Sequence, residues 1–300
     1  MEIGRVVIVG AIILIPLFII FITKNKEKKS EKQLSTSLNK DGKLQEYIIY
    51  VASQFENDTF FSRAKEVAEK LHFSEAKNLI DYFHKDIPCP DDLKESISKI
   101  GVFGVWLDIR QNAIFEILSN YKVEAVPLLY KIGFGVYDWT QYKAIGILLN
   151  FVKEGITDDK VLDDLIQKLH HLRYEAIINI LTPLSQIQNN DKVDVIFKRV
   201  YDLFSDDFSD SLHILEVWSK LSPDNVLNYK VEIMGVLLNE QKFKELQYSP
   251  ETKEELNIRG NILFFNLDKN DLSLKNNLDI LSRTASNQKL RDYIFKTLEK

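Results

Sequence analysis

Beyond Gly42 the apolar residues of this 300-residue chain recur at intervals of three and four, the spacing of a helix with one buried face. Leu44, Ile48, Val51 and Phe55 make one stripe; Phe60, Ala64, Val67 and Leu71 make the next after a break at Asn57 and Asp58. Ser74 is placed to cap a third helix carrying Leu79, Ile80 and Phe83, which Pro88 and Pro90 terminate. The pattern returns in Val161, Leu165, Ile166 and Leu169, in Ile177, Ile178 and Leu181, in Val193, Ile196, Val200 and Leu203, and in Leu212, Leu215, Val217 and Trp218. Asp191, Asp207 or Ser209, and Asp224 stand near helix starts. Two short runs dissent, Val102 to Val105 and Ile262 to Phe265, which periodicity alone leaves open to strand, and residues 244–258 read as irregular around Pro250.

The N-terminus follows a different pattern. Val6 to Ile22 is an unbroken uncharged run, about 25 Å long as a helix against a hydrocarbon core of about 30 Å. Arg5 and Lys24 flank it and can snorkel to cover the difference. The run ends Phe21-Ile22-Thr23-Lys24 without the small residues of a signal-peptidase site, so the expectation is an uncleaved transmembrane anchor in residues 1–23, kinked at Pro16. Residues 24–42 are polar and read as a tether, and residues 43–300 as the helical domain. Lys24, Lys26, Lys28, Lys29 and Lys32 lie on the C-terminal side of the span. The positive-inside bias therefore puts the large domain in the cytosol, on a single-pass protein of the cell membrane.

Composition sharpens this reading. Eleven glycines and seven prolines in 300 residues are about half the usual share, which disfavours turn-rich sandwiches, barrels and propellers. The stretch from Met1 to Gln33 holds six basic and three acidic side chains, so the net charge of −5 for the chain becomes −8 for the remainder. An acidic body lacks the clustered Lys and Arg of phosphate-backbone binding, and no nucleic-acid partner is expected. The basic residues at 24–32 suit a juxtamembrane collar on anionic lipid. Cys89 is the one cysteine, so no intramolecular disulfide exists.

An internal repeat is the most informative feature. When Asp108 to Val152 is shifted along itself so that Ala113 falls on Ala144, Ile117 falls on Leu148 and Leu118 on Leu149. A small residue lets two helices approach and the large ones fill the seam, while Ala125-Val126-Pro127 starts the intervening helix with proline in its first turn. With Asp108, Arg110, Leu129 and Asp138, these residues resemble the short HEAT-like repeats, of roughly 30 residues, named after phycobilisome lyases. Gln141 falls where that family's second arginine would be, and Asp138 sits one place off the register of Asp108. The resemblance implies an all-α fold: a right-handed α-solenoid of stacked antiparallel helix pairs, whose concave face binds another protein.

Catalytic motifs are absent. Gly133-Phe134-Gly135 has Asp138 where a dinucleotide fingerprint needs its third glycine and reads as an interhelix turn. No Walker loop, zinc-protease motif or nucleophile elbow occurs. His170 and His171 point about 100° apart on a helix and have no cysteine nearby, so neither metal nor cofactor is expected. The paired carboxylates Asp158-Asp159, Asp163-Asp164 and Asp206-Asp207 fall at helix starts and on polar faces. The candidate site is aromatic instead. Phe103, Trp106, Phe134, Tyr137, Trp139 and Tyr142 share a window with five of the eleven glycines, which sets several rings at helix ends, where Trp and Tyr anchor partners. Trp106, Phe134, Tyr137, Trp139 and Tyr142 are the expected partner-binding residues. The functional expectation is a membrane-anchored scaffold or adaptor for a protein partner, or more narrowly an immunity or antagonist protein at the membrane. The alternative is a lyase-like enzyme of a helical-repeat class without a local motif.

Overall fold

The computed structural model describes residues 42–100, 104–135 and 139–299. The apolar run 6–22 and nearly all of the tether lie outside them, and no helix among the described residues is long and apolar enough to cross a membrane. Every regular element among the described residues is a helix. They fall into two compact units divided in sequence between Tyr121 and Lys122, so the boundary cuts through the internal repeat.

The first unit comprises α1 (42–52), α2 (Thr59–Lys70), α3 (Phe73–Ala76), α4 (Asp91–Ile100) and α5 (Val105–Ser119). The stripes read from the sequence are its core: Ile48, Val51, Ala64 and Val67 are fully buried, and α2 packs on α5. Ser74 does not cap the third helix. His72 holds that position, and α3 tightens after Ala76 into a 3-10 helix over Lys77–Tyr82. The buried residues Ala76, Leu79 and Tyr82 are three apart, the period of a 3-10 helix, and that spacing explains the tightening. The helical segment ends at Tyr82, six residues before Pro88, so the prolines do not terminate it. Of the run Val102 to Val105, residues 102 and 103 lie outside the described residues and Val105 opens α5.

The second unit begins with a 3-10 turn at Lys122–Ala125 and continues through α6 (Val126–Gly133), α7 (Gln141–Lys153), α8 (Lys160–Lys168), α9 (Tyr174–Leu184), α10 (Asp191–Phe204) and α11 (Phe208–Trp218). It ends with α12 (Pro223–Leu227), α13 (Lys230–Leu237), α14 (Glu240–Glu245), α15 (Pro250–Leu267), α16 (Leu272–Thr284) and α17 (Gln288–Leu298). Helices recur in pairs at a nearly constant interval: α7, α9 and α11 start at Gln141, Tyr174 and Phe208, and α8 and α10 at Lys160 and Asp191. Helices one pair apart pack together, α7 on α9, α8 on α10 and α9 on α11. Residues of positive φ keep the same interval, at Lys122 (51°), Gly155 (69°) and Asn189 (57°). Ala113, Ile117 and Leu118 in α5 and their shifted counterparts Ala144, Leu148 and Leu149 in α7 are all fully buried.

Two expectations are corrected in the C-terminal third. Ile262 to Phe265 is not a strand; it lies in the buried C-terminal half of α15, which packs against α11, α12, α13, α16 and α17. A helix covered on all sides loses its amphipathic period, and that is why the run is ambiguous as sequence. Pro250 does not sit in irregular chain; it is in the first turn of α15, with Ser249 as N-cap accepting from Thr252 N at 3.2 Å. A Cβ at Gly260 would lie 2.4 Å from Leu237 Cδ1, so a residue with no side chain brings α13 against α15.

Candidate functional site

The described members of the aromatic group are divided between the two units. Trp106 belongs to the first unit, Phe134, Trp139 and Tyr142 to the second, and Tyr137 and Phe103 lie outside the described residues.

Trp106 is half-buried in the first turn of α5, and its indole N–H donates to the Ile87 carbonyl at 2.8 Å. Arg110 and Gln111, both buried one turn further on, donate to the carbonyls of Lys85 (2.8 Å) and Phe83 (3.1 Å). Three side chains of one helix thus hold alternate carbonyls of the segment that leads to Pro88. Burial lowers the Arg110 pKa, with Asp86 opposing, but a guanidinium retains its charge through such a shift. Trp106 here clamps the chain's own backbone. Cys89, two residues past Ile87, is half-buried, and burial pushes its thiol pKa up, which makes it a slow nucleophile.

In the second unit Phe134 caps the C-terminus of α6 and joins a cluster that sequence reasoning missed. Its ring lies 5.3 Å from that of Tyr130, and the ammonium groups of Lys168 and Lys160 stand 5.2 and 5.0 Å above the Phe134 and Tyr130 rings. Between the two lysines is Asp164, almost fully buried, hydrogen-bonded to Lys160 and 3.6 Å from Lys168. Asp164 is therefore not on a polar face. Burial raises its pKa, yet the hydrogen bonds and charges of the two lysines outweigh this and hold the carboxyl below its ordinary value. Tyr130 is shifted upward, first by burial and then by the Asp164 charge. The signal was legible as Lys160, Asp164 and Lys168 at four-residue spacing on one helix face. The cluster links α6 to α8, with one carboxylate shared between two ammonium groups that also stand over the two rings.

Trp139 and Tyr142 flank the start of α7. Trp139 is 45% exposed and Tyr142 half-buried, with the Lys143 ammonium 5.7 Å from the Tyr142 ring. Of the expected anchors that the structure describes, Trp139 is the one whose ring faces solvent most.

The cavities among the described residues are open to solvent. One of about 470 Å³ lies among α11, α15 and α17, with Arg259 on its wall. Arg259 meets Glu216 through two parallel hydrogen bonds, Nε to Oε1 at 2.9 Å and Nη2 to Oε2 at 2.6 Å. That fork neutralises the carboxylate. His170 and His171 are exposed with ring centroids 3.9 Å apart, and among the described residues no group of three or more His, Cys, Asp or Glu side chains is placed to hold a metal ion. Compared with family models, curated proteins and solved structures, the chain matches none.

Proposed function

We propose that this chain is a membrane-anchored helical-repeat protein whose body, a right-handed α-solenoid of the HEAT-like kind, serves as a scaffold or adaptor for a protein partner on the cytosolic face of the membrane. The observation that carries the reading is the helix-pair interval. From α7 to α11 each helix packs on the one a pair later, and side chains bond across the same interval: Lys153 to Gln186, Asn190 to Asp159, and Arg199 to the Ile166 carbonyl. A stack of this sort presents a continuous surface set by its repeats, the arrangement that repeat proteins use to bind other proteins. The exposed Trp139 is its aromatic anchor. The anchor 6–22 and the lysines that follow it support the membrane and cytosolic placement.

The test uses the full chain in its native membrane, carrying a photo-reactive side chain at position 139. The expected result is one adduct of reproducible mass containing a single protein partner, with capture of that partner lost in Trp139→Ala. Absence of any adduct from position 139, with partner capture unchanged in Trp139→Ala, overturns the assignment of the anchor. A reporter fused after Lys300 is expected to be active in the cytosol and silent outside.

A further inference from the structure

Residues 83–90 run without regular structure between the 3-10 helix that ends at Tyr82 and α4, which starts at Asp91. Three side chains of α5 hold this segment by its carbonyls: Trp106 Nε1 on Ile87, Arg110 Nη1 on Lys85 and Gln111 Nε2 on Phe83. Trp106 and Arg110 are four residues apart, a rise of about 6 Å along a helix, and their acceptors are two residues apart, a step of about 6.6 Å in an extended chain. Donors at that spacing can hold an extended peptide by its main chain, whatever its side chains. Ile87 is seated at 2% exposure and Phe83 stacks on Phe115 at 4.9 Å. Among the described residues, no main-chain group of Asp86, Ile87 or Cys89 bonds another main-chain group. The segment is thus a strap, fastened by three side-chain bonds and the burial of Phe83 and Ile87.

The strap leaves two polar atoms beneath it unmatched. Arg110 is 4% exposed, yet its hydrogen bond goes to a neutral carbonyl and its Nε has no partner among the described residues. Asp86, whose charge acts on Arg110, is exposed and makes no hydrogen bond with it. Gln111 is 1% exposed and donates through Nε2, while its Oε1 accepts nothing among the described residues. A guanidinium taken out of water is best matched by a carboxylate, on two parallel hydrogen bonds, and a carboxamide can hold both a carbonyl and an N–H. The strap supplies the carbonyl half of each arrangement. The donor left on Arg110 and the acceptor left on Gln111 are the complement of a peptide that brings a carboxylate and a main-chain N–H. We propose that α5 carries a binding site for an extended acidic peptide, and that residues 83–90 fill it as a built-in competitor. A partner's peptide displaces them by setting a carboxylate on Arg110 and an apolar residue where Ile87 sits. The site lies within the first unit and depends on neither Trp139 nor the membrane anchor. Because the incoming peptide binds only the open form, its affinity is reduced by the fraction of molecules in which the strap is open. Release of the strap also uncovers Cys89, two residues past Ile87.

The full chain in detergent micelles is titrated with two synthetic peptides that copy residues 83–90 with Cys89→Ser, one otherwise native and one also carrying Lys85→Glu. Calorimetry follows binding, and the alkylation rate of Cys89 in the protein is measured alongside. The Lys85→Glu peptide is expected to bind saturably, roughly tenfold tighter than the native copy, and to speed alkylation of Cys89 severalfold at saturation. In the protein, Ile87→Ser unfastens the strap and is expected to tighten binding of both peptides while the preference for glutamate stays. Arg110→Lys is expected to lose most of that preference, because an ammonium cannot form the fork. Absence of binding to both wild type and Ile87→Ser overturns the proposal, as does equal affinity for the two peptides or full preference retained in Arg110→Lys. Binding that leaves the Cys89 rate unchanged places the peptide elsewhere and overturns it too. The same acceleration by free glutamate at equal concentration assigns the site to a small carboxylate and overturns the peptide. Should Arg110→Lys fail to fold, the comparison of wild type with Ile87→Ser decides by itself.

Discussion

Asn190 and Asp159 occupy the N-cap positions of α10 and α8 and are joined by a hydrogen bond of 2.9 Å from Asn190 Nδ2 to Asp159 Oδ2. The same asparagine accepts from Lys192 N through Oδ1, and the Lys192 ammonium reaches Asp163 of α8 at 2.8 Å. One residue therefore starts its own helix and ties it to the corresponding helix one pair earlier. Asn190→Ala is expected to cost about 1–2 kcal/mol, the sum of a lost cap and a lost bridge. Asn190→Ser keeps the cap and is expected to cost less, and Asn190→Asp sets a second carboxylate against Asp159 and is expected to cost more than the serine. Urea unfolding midpoints rank the three; an aspartate as stable as wild type would contradict the bridge.

Gly260 and Leu237 set the distance between α15 and α13. Gly260→Ala is expected to destabilise by about 1–3 kcal/mol through overpacking, because the new Cβ meets Leu237 Cδ1 at 2.4 Å. Leu237→Ala in that background removes the clash, so the double variant is expected to lose less than the two single losses added together. Strict additivity in thermal unfolding would show that the helices move apart freely.

Acid stability depends on Asp164. Its carboxyl pKa is lower when folded than when unfolded, so it stabilises the fold at pH above the unfolded carboxylate value, and that contribution is lost as the pH falls through the folded value. Asp164→Asn is expected to be less stable than wild type at pH 6, with the gap closing as the pH falls below about 4. Unfolding midpoints measured from pH 6 to pH 3 check this, and a gap that widens toward low pH would contradict it.

Three positive-φ residues punctuate the helix pairs. Gly155→Ala is expected to cost roughly 1–2 kcal/mol, the penalty of a Cβ in the left-handed region, although open space surrounds it. Asn189→Gly is expected to be close to neutral, since both residues tolerate that conformation. Chemical denaturation of both variants separates backbone strain from packing.

The Trp106 clamp is read out by Cys89. Trp106→Phe removes the donor to the Ile87 carbonyl, loosening the segment that carries Cys89, and is expected to speed alkylation of Cys89 severalfold at neutral pH. Trp139→Phe serves as the control and is expected to leave that rate unchanged.

The all-helical class, the positions of most helices and the rows Ala113/Ala144 and Leu118/Leu149 are legible in the chain alone, because a helix with one buried face writes its own period into its residues. So is the placing of Phe134, Trp139 and Tyr142 at helix ends. Other features arise only when helices become neighbours. The buried C-terminal half of α15 has no polar face and so no period, and its surroundings make it a helix of the core. The spacing of Asp164 between Lys160 and Lys168 is legible in the chain, but its burial and the seating of the two ammonium groups over Tyr130 and Phe134 arise only in the folded structure. Trp106 reads as a partner anchor until α5 is laid beside residues 83–87, where its N–H meets a carbonyl of its own chain. Burial and hydrogen bonding between residues distant in sequence depend on which helices pack together, and no local pattern of polar and apolar residues encodes that choice.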